Sequence, residues 1–435
     1  MKHQITRRNF IWKTSATAAG VFFIGKASSF GRNKISPNDK LNIACIGTAN
    51  RAAENIKGVE GENIVALCDV DELYLGKAKA NHASAKTYSD FRRLIDQKDI
   101  DAIVVATTDH THAVATAAAI KSGRHAYCEK PLTHTISECR RIQELARQHK
   151  CVTQMGTQIH ATDNYRRVVE VIQSGAIGKV KEVHVWVGRV YNFPGNPPLA
   201  PVPKNLNWDL WLGPVSETPY SPEYVPMWWR KFWHFGGGTL SDMACHHMDL
   251  SHWALGIHTP LTVETEGPTV DAITTPSWLT VHYQYPETKT FSGKLNWYHG
   301  EKDGKLHRPP QFADGSLPKW DGDGSLFIGE KGMLLADYGR YVLLPEKDFT
   351  GFTPPPQTIA PSKGHHAEWI HAIKNGGTTL CNFDYSGDLS ESVLLGNVAF
   401  RVGKKLEWDS KHLKAKNCPE ADQFIQHHYR KGWKL

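Results

Sequence analysis

Three groupings in this 435-residue chain combine side-chain type with a spacing suited to proton and anion chemistry. Asp242 and His246 stand four residues apart after Gly236-Gly237-Gly238. On a helix they share one face. A carboxylate one turn from an imidazole can fix its tautomer and hold the ring where a hydroxyl proton must leave. Lys130 directly precedes Pro131. A residue before proline is held extended, which aims this amine across strand ends into a cleft. The third grouping is the loop Gly47-Thr48-Ala49-Asn50-Arg51-Ala52, with Asp69 about 20 residues on. Gly47 and Ala52 match the outer positions of a dinucleotide fingerprint, and Ala49 replaces its middle glycine. A carboxylate at Asp69 accepts hydrogen bonds from a ribose diol and repels a 2′-phosphate, favouring NAD over NADP. Arg51 remains available for a phosphate. Asp242, His246, His247 and Asp249 can also be read as metal ligands or as helix caps and core polar contacts. Adjacent histidines project about 100° apart on a helix and rarely share an ion, so no metal is expected.

These groups require a frame that brings strand ends together. The pattern predicts strands at 41–46, 63–68, 102–107 and 125–128, with a short one at 86–88. Helices are expected at 52–59, 72–82, 90–96 and 111–122. Such alternation implies right-handed βαβ units and a parallel sheet. A last strand and exit loop at 151–158, a helix at 165–174 and a strand at 180–187 follow. Thr239 or Ser241 is expected to cap the helix carrying Asp242. Alternation at 279–285 and 291–297, with 325–328, 332–336 and 341–344, suggests an antiparallel sheet. Late helices are expected from His365 and at 386–403. Three regions result: a leader at 1–36, a Rossmann domain at 37–157, and an α+β domain at 158–435.

Several local patterns then coincide. Ala106-Thr107-Thr108-Asp109-His110-Thr111-His112 precedes Glu129-Lys130-Pro131. Gln154-Met155-Gly156, Gly175-Ala176-Ile177-Gly178 and the run from Asn207 to Pro214 follow, and then Asp242 with His246. Over residues 41–408 this order resembles the Gfo/Idh/MocA family (glucose–fructose oxidoreductase, inositol dehydrogenase, rhizopine). Thr108 stands where that family usually has proline. The resemblance implies an N-terminal Rossmann domain and a C-terminal α+β domain with a large open, mainly antiparallel sheet. One face of that sheet would cover helices and the other would join subunits into a homodimer or tetramer. It implies catalytic roles for Lys130, Asp242 and His246, and a cofactor held by Gly47, Ala49, Asn50, Arg51, Asp69, Thr107, His112, Glu129, Lys130 and Gln158. The cofactor implied is NAD, and the reaction is oxidation or reduction of a secondary hydroxyl on a sugar, glycoside or polyol. Tyr165, Trp208, Trp211, Trp229 and His247 are expected at the substrate. Flat indole faces suit the C–H faces of sugar rings, while core or interface packing competes for the same residues. Two other outcomes share the scaffold: glycoside cleavage through transient oxidation at C3 and elimination, and a non-catalytic sugar sensor.

Composition places the chain. At 40% hydrophobic and 22% charged it is globular rather than disordered, collagenous or coiled-coil. The formal charge of +7 resides wholly in residues 1–34, which hold seven basic residues and no acid. No nucleic-acid surface is therefore expected. Arg7-Arg8-Asn9-Phe10-Ile11 followed by the uncharged stretch 14–25 resembles a twin-arginine export signal. The stretch is too short and polar to span a bilayer, so no stable membrane insertion is expected after export. A folded, periplasmic destination implies a cofactor that travels tightly bound and is recycled. None of the eight cysteines forms a CxxC, and buried free thiols are expected.

Overall fold

The computed structural model describes residues 39–435 except 314, 316 and 427. The leader and His427 lie outside the described residues.

Six strands form the first sheet: β1 (Asn42–Ile46), β2 (Asn63–Cys68), β3 (Lys86–Tyr88), β4 (Ala102–Val105), β5 (His125–Cys128) and β6 (Thr153–Met155). All pair in parallel, in the order β3-β2-β1-β4-β5-β6. Central strands of such a sheet are covered on both faces and read as continuous apolar runs. Ala-Ile-Val-Val of β4 and His-Ala-Tyr-Cys of β5 are buried throughout. Strand order reverses between β1 and β4, which opens a crevice at their carboxyl ends. Helices α1 (Arg51–Val59), α2 (Glu72–Asn81), α3 (Phe91–Leu94), α4 (Asp109–Lys121) and α5 (Ile136–His149) complete this layer. Asp71 caps α2 through the N–H groups of Leu73 and Tyr74, as expected of an N-cap carboxylate.

The second sheet follows α6 (Asp163–Gln173) and contains β7 (Val180–Val187), β8 (Thr262–Glu266), β9 (Trp278–Gln284), β10 (Phe291–Lys302), β11 (Lys305–Leu306), β12 (Gly324–Gly329), β13 (Met333–Ala336), β14 (Tyr341–Leu344), β15 (Leu406–Asp409) and β16 (Lys414–Ala415). Its order is β14-β13-β12-β7-β10-β9-β8-β15-β16, with β11 paired to β10. Every pairing is antiparallel except β7 with β10. The remaining helices are α7 (Trp208–Leu212), α8 (Gly238–Leu255), α9 (His365–Asn375), α10 (Phe383–Val402) and α11 (Asp422–Ile425). Helix α8 packs on α6, α10 and β7, while α10 also packs against α5. One continuous core therefore joins the two sheets.

Thr239 and Ser241 do not cap α8, contrary to expectation. The helix starts earlier, at Gly238, and its N-cap Gly237 makes no side-chain bond. Thr239 Oγ1 instead accepts from the Tyr191 N–H at 2.8 Å, and Ser241 Oγ accepts from Asn397 Nδ2 at 3.0 Å. None of the eight cysteines forms a disulfide, and all but Cys151 are buried.

Candidate active site

A cavity of about 540 Å³ lies over the carboxyl ends of β1, β2, β4 and β5 and reaches to α8. That volume suits a small-molecule site. Its first half is built by the loop from β1 to α1. Gly47 has φ 91°, and a Cβ added there would stand 2.2 Å from the Ala106 carbonyl oxygen. Only glycine fits so close a backbone approach. Ala49, Asn50 and Arg51 also line the cavity. Asn50, at φ 51°, precedes α1 without capping it through its side chain. An uncapped helix start facing a cavity is suited to phosphate.

Asp69 is held at the end of β2. Its Oδ2 accepts from the Thr48 N–H at 2.9 Å and hydroxyl at 2.8 Å, and its Oδ1 accepts from the Asp71 N–H at 3.0 Å. Burial raises its pKa, while those hydrogen bonds oppose the rise. The glycine cradle, the open helix start and this fixed carboxylate fit a dinucleotide.

Arg51 lines the cavity with two of its nitrogens engaged. Its Nε donates to Glu129 Oε1 at 3.3 Å, and its Nη1 pairs with Glu54 one turn along α1. Glu129 Oε1 also accepts from Asn55 Nδ2 at 2.9 Å and Gln158 Nε2 at 2.8 Å. Glu129 and Gln158 therefore brace the cofactor loop as well as lining the cavity. His112 sets Nδ1 against the Pro131 carbonyl at 2.8 Å and Nε2 against that of Thr107 at 3.3 Å. It ties the two turns together beside Thr107, and its burial lowers its pKa.

The second half centres on Asp242. Lys130 Nζ donates to Asp242 Oδ1 at 2.5 Å and to the Asp242 carbonyl at 2.8 Å. Arg230 Nε donates to the same Oδ1 at 2.8 Å. These two cations, Lys130 first, hold the buried carboxyl well below the usual carboxylate range against the cost of desolvation. Asp242 therefore does not orient His246, which is a correction. An i,i+4 spacing gives a shared face, whereas two cations arriving from outside the helix claim the carboxylate. His246 lines the same cavity, and its buried Nδ1 has no hydrogen-bond partner among the described residues. Burial and then Lys130 push its pKa well down, so the imidazole is neutral.

The expected substrate residues divide. Trp211 and Trp229 line the cavity. Trp208 lies behind them, stacked on Trp211 at 4.6 Å with its Nε1 donating to the Thr218 carbonyl. It belongs to an aromatic cluster with Tyr220, Tyr224 and Phe235. Tyr165 is buried, and its hydroxyl donates to the His246 carbonyl at 3.3 Å. His247 points into the protein, where its Nε2 lies 2.6 Å from the Tyr338 hydroxyl. Burial pushes its pKa down to about 3. Trp208, Tyr165 and His247 thus support the wall without forming it. The metal reading of Asp242, His246, His247 and Asp249 finds no common site: Asp249 bonds His160 at 2.9 Å and Tyr385 at 2.6 Å.

Among the lining residues that sequence reasoning did not assign to the site, Arg230, Asp109, Arg189 and Trp433 carry the most chemistry. Arg230 lies 4.2 Å above the Trp229 ring, so its neighbour positions it. Asp109 begins α4, and burial pushes its pKa up to about 8. Its place inside the Thr107–His112 motif was the available signal. Arg189 is taken up below. Trp433 lines the cavity together with Tyr74, Ser89 and Phe91, beyond Asp69. Arg430 pins this segment through Asp209 Oδ1 at 2.6 Å and the Gly213 carbonyl at 2.6 Å. Nothing local marks Trp433.

A family model described as "Oxidoreductase family, NAD-binding Rossmann fold" matches residues 41–157. Its companion, "Oxidoreductase family, C-terminal alpha/beta domain", matches 164–293, and together they cover more than half the chain. An inositol 2-dehydrogenase of Salmonella typhimurium is 33% identical over 159 residues, 35% of this chain and 45% of that protein. A glycosyl hydrolase family 109 protein of Solibacter usitatus is 36% identical over 129 residues, 26% of this chain and 30% of that protein. The chain thus spans less than half the length of these curated relatives. The WlbA dehydrogenase from Chromobacterium violaceum, solved with NADH and UDP-GlcNAcA, aligns with a TM-score of 0.62 and 16% identity. The match covers 87% of this chain and 99% of that one, and at such identity it speaks for the fold. No helix among the described residues is long and apolar enough to cross a membrane.

Proposed function

Because the chain belongs to the Gfo/Idh/MocA oxidoreductase family, we propose that it is an NAD-dependent oxidoreductase acting on a secondary hydroxyl of a sugar, glycoside or polyol. One observation carries the reading. The Gly47–Asp69 half and the Lys130–Asp242–Arg230–His246 half line a single cavity. NAD, when bound, supplies the hydride acceptor. The chain's own residues do the rest. His246 takes the hydroxyl proton on its neutral imidazole. Lys130 Nζ, fixed by the two oxygens of Asp242 that accept from it, donates to the oxygen on which charge develops. Trp211 and Trp229 offer apolar faces that exclude water beside the reacting carbon.

The test is direct. Denatured protein should release NAD(H), and a panel of glycosides and polyols should give a ketone product that His246→Ala abolishes. Undiminished turnover in that variant would remove the base assignment. Similarity to the family 109 glycosyl hydrolase supports a second reading, transient oxidation followed by elimination. Aglycone release without net change in the cofactor would select it, whereas a bound sugar with neither outcome would select a sensor.

Residues 1–36 would route the protein, folded and loaded, to the periplasm. Arg7→Lys with Arg8→Lys should then leave it in the cytoplasmic fraction. A homo-oligomer joined through the open sheet should appear as a dimer or tetramer by light scattering.

A further inference from the structure

Three cations line the second half of the cavity, and its carboxylates do not serve them alike. Lys130 and Arg230 both bond one oxygen, Asp242 Oδ1, at 2.5 and 2.8 Å. Arg189 lines the same cavity. Its Nη1 donates to the Tyr191 hydroxyl at 3.0 Å, and no carboxylate lies within 4.0 Å of it among the described residues. Asp109, whose pKa burial raises, and Glu129, which turns to Arg51, also line the cavity, and Asp323 acts on Arg189 from beyond contact distance. Of the three cations, Arg189 alone therefore has no carboxylate in contact among the described residues. A guanidinium so placed gains from a ligand that supplies the missing anion.

Arg189 is placed to meet such a ligand. It follows β7 by two residues and is exposed at the cavity mouth, whereas the Lys130 side chain is only 10% exposed. Tyr191, which holds it, is itself buried and anchored through its N–H to Thr239 of α8. The guanidinium also lies 5.6 Å from the Tyr191 ring centroid. A guanidinium fixed on one side and open on the other presents a fork that matches a carboxylate. Lys130 and His246 mark where the reacting carbon sits, inside; Arg189 marks where a charged substituent would sit, outside.

We propose that the substrate is an acidic sugar, a uronic acid or its glycoside, whose carboxylate is received by Arg189. This rests on the oxidoreductase reading above and names the substrate class within it.

The test uses the full-length protein loaded with NAD and two matched probes, methyl β-glucuronide and methyl β-glucoside, with glucose 6-phosphate as a third. Calorimetry should show the glucuronide binding at least about tenfold tighter than the glucoside, the lower end for a charge-assisted contact. Salt should erode that preference, and Arg189→Met should abolish it while leaving NADH titration intact, which confirms folding. Equal affinity for the two pyranosides overturns the inference, as does a preference that survives Arg189→Met. Tighter binding of the phosphate than the glucuronide overturns the carboxylate assignment. Equal NADH formation from both pyranosides overturns this inference and leaves the oxidoreductase reading standing. Binding of the glucuronide through Arg189 with no ketone formed upholds the inference and removes that reading.

Discussion

Replacing Asp242 by asparagine removes the one carboxylate that Lys130 and Arg230 contact among the described residues. Each side chain is largely withdrawn from solvent: Lys130 is 10%, Arg230 20% and Asp242 9% exposed. At an effective dielectric of about 20, an ion pair at contact is worth about 4 kcal/mol of attraction, much of it offset by desolvation. Removing one partner, however, leaves the desolvation in place without the attraction. Such changes cost about 3–5 kcal/mol, and here two cations are left facing each other. With an unfolding entropy of about 2.1 cal/mol/K per residue over roughly 400 residues, the midpoint should fall by about 4–6 °C. Differential scanning calorimetry with and without NAD reads this directly. Lys130→Met in the same protein should recover part of the loss, because it removes one of the stranded charges. The double-mutant cycle should thus show coupling of more than about 1 kcal/mol. Additive effects within about 0.5 kcal/mol, or a midpoint unmoved by Asp242→Asn, would refute the view that one carboxylate holds both cations.

Gly47→Ala should abolish NADH binding measured by fluorescence titration, because the added Cβ meets the Ala106 carbonyl at 2.2 Å; retained affinity would mean the loop is not the cofactor cradle. Trp433→Ala should speed NADH dissociation in stopped flow by about tenfold, the scale of one aromatic stacking contact, and should remove energy transfer from that indole to bound NADH. Asp109→Asn tests the raised carboxyl, whose ordinary value is 3.8 and whose folded value is about 8. Between those values the folded parent holds a proton that the unfolded chain has lost, so its stability falls as pH rises. The variant escapes this, and its advantage in urea unfolding should widen from about pH 4 to pH 8, by at most about 1.4 kcal/mol per unit. A constant gap would place the Asp109 pKa outside that window.

Much of the Rossmann half was legible because its information is local. Apolar runs of four to six residues separated by helix-length segments permit few topologies, and Asp69 and Lys130 sit at ends of strands visible in that pattern. The second sheet was legible only in part. β8 and β15 are strands of only five and four residues, too short for alternation to single them out even in Leu-Glu-Trp-Asp, and their pairing joins residues far apart in sequence. The parallel contact of β7 with β10 was invisible for the same reason. Within the site, Asp242 and His246 were found by spacing, yet their relation was misread. Spacing on a helix reports a common face; what a buried carboxylate binds is decided by which cations the tertiary fold delivers, here Lys130, 112 residues away, and Arg230, 12 residues away. Trp208 and Trp229 look alike in sequence and pack in one apolar cluster, yet only Trp229 reaches the cavity.

Consecutive residues at the end of β5 serve opposite halves of the cavity. Glu129 turns toward the cofactor loop and gathers Arg51, Asn55 and Gln158. Lys130 turns toward α8 and meets Asp242. A Cβ at Gly156 would strike the Glu129 carboxyl at 2.5 Å, so the neighbouring strand leaves that side chain one course. The separation between the dinucleotide cradle and the proton-handling groups is therefore set by one peptide unit directly after β5. Reactions that move a hydride and a proton from the same alcohol demand such fixed spacing, since a displacement of about 1 Å can cost a hundredfold in rate. His112 closes the arrangement from behind by bonding the Pro131 and Thr107 carbonyls, so the turn that follows Lys130 cannot shift without the turn after β4. The adjacency of Glu129, Lys130 and Pro131 in sequence is thus the one-dimensional trace of a three-dimensional requirement: one strand end must brace the cofactor side and aim the amine at once.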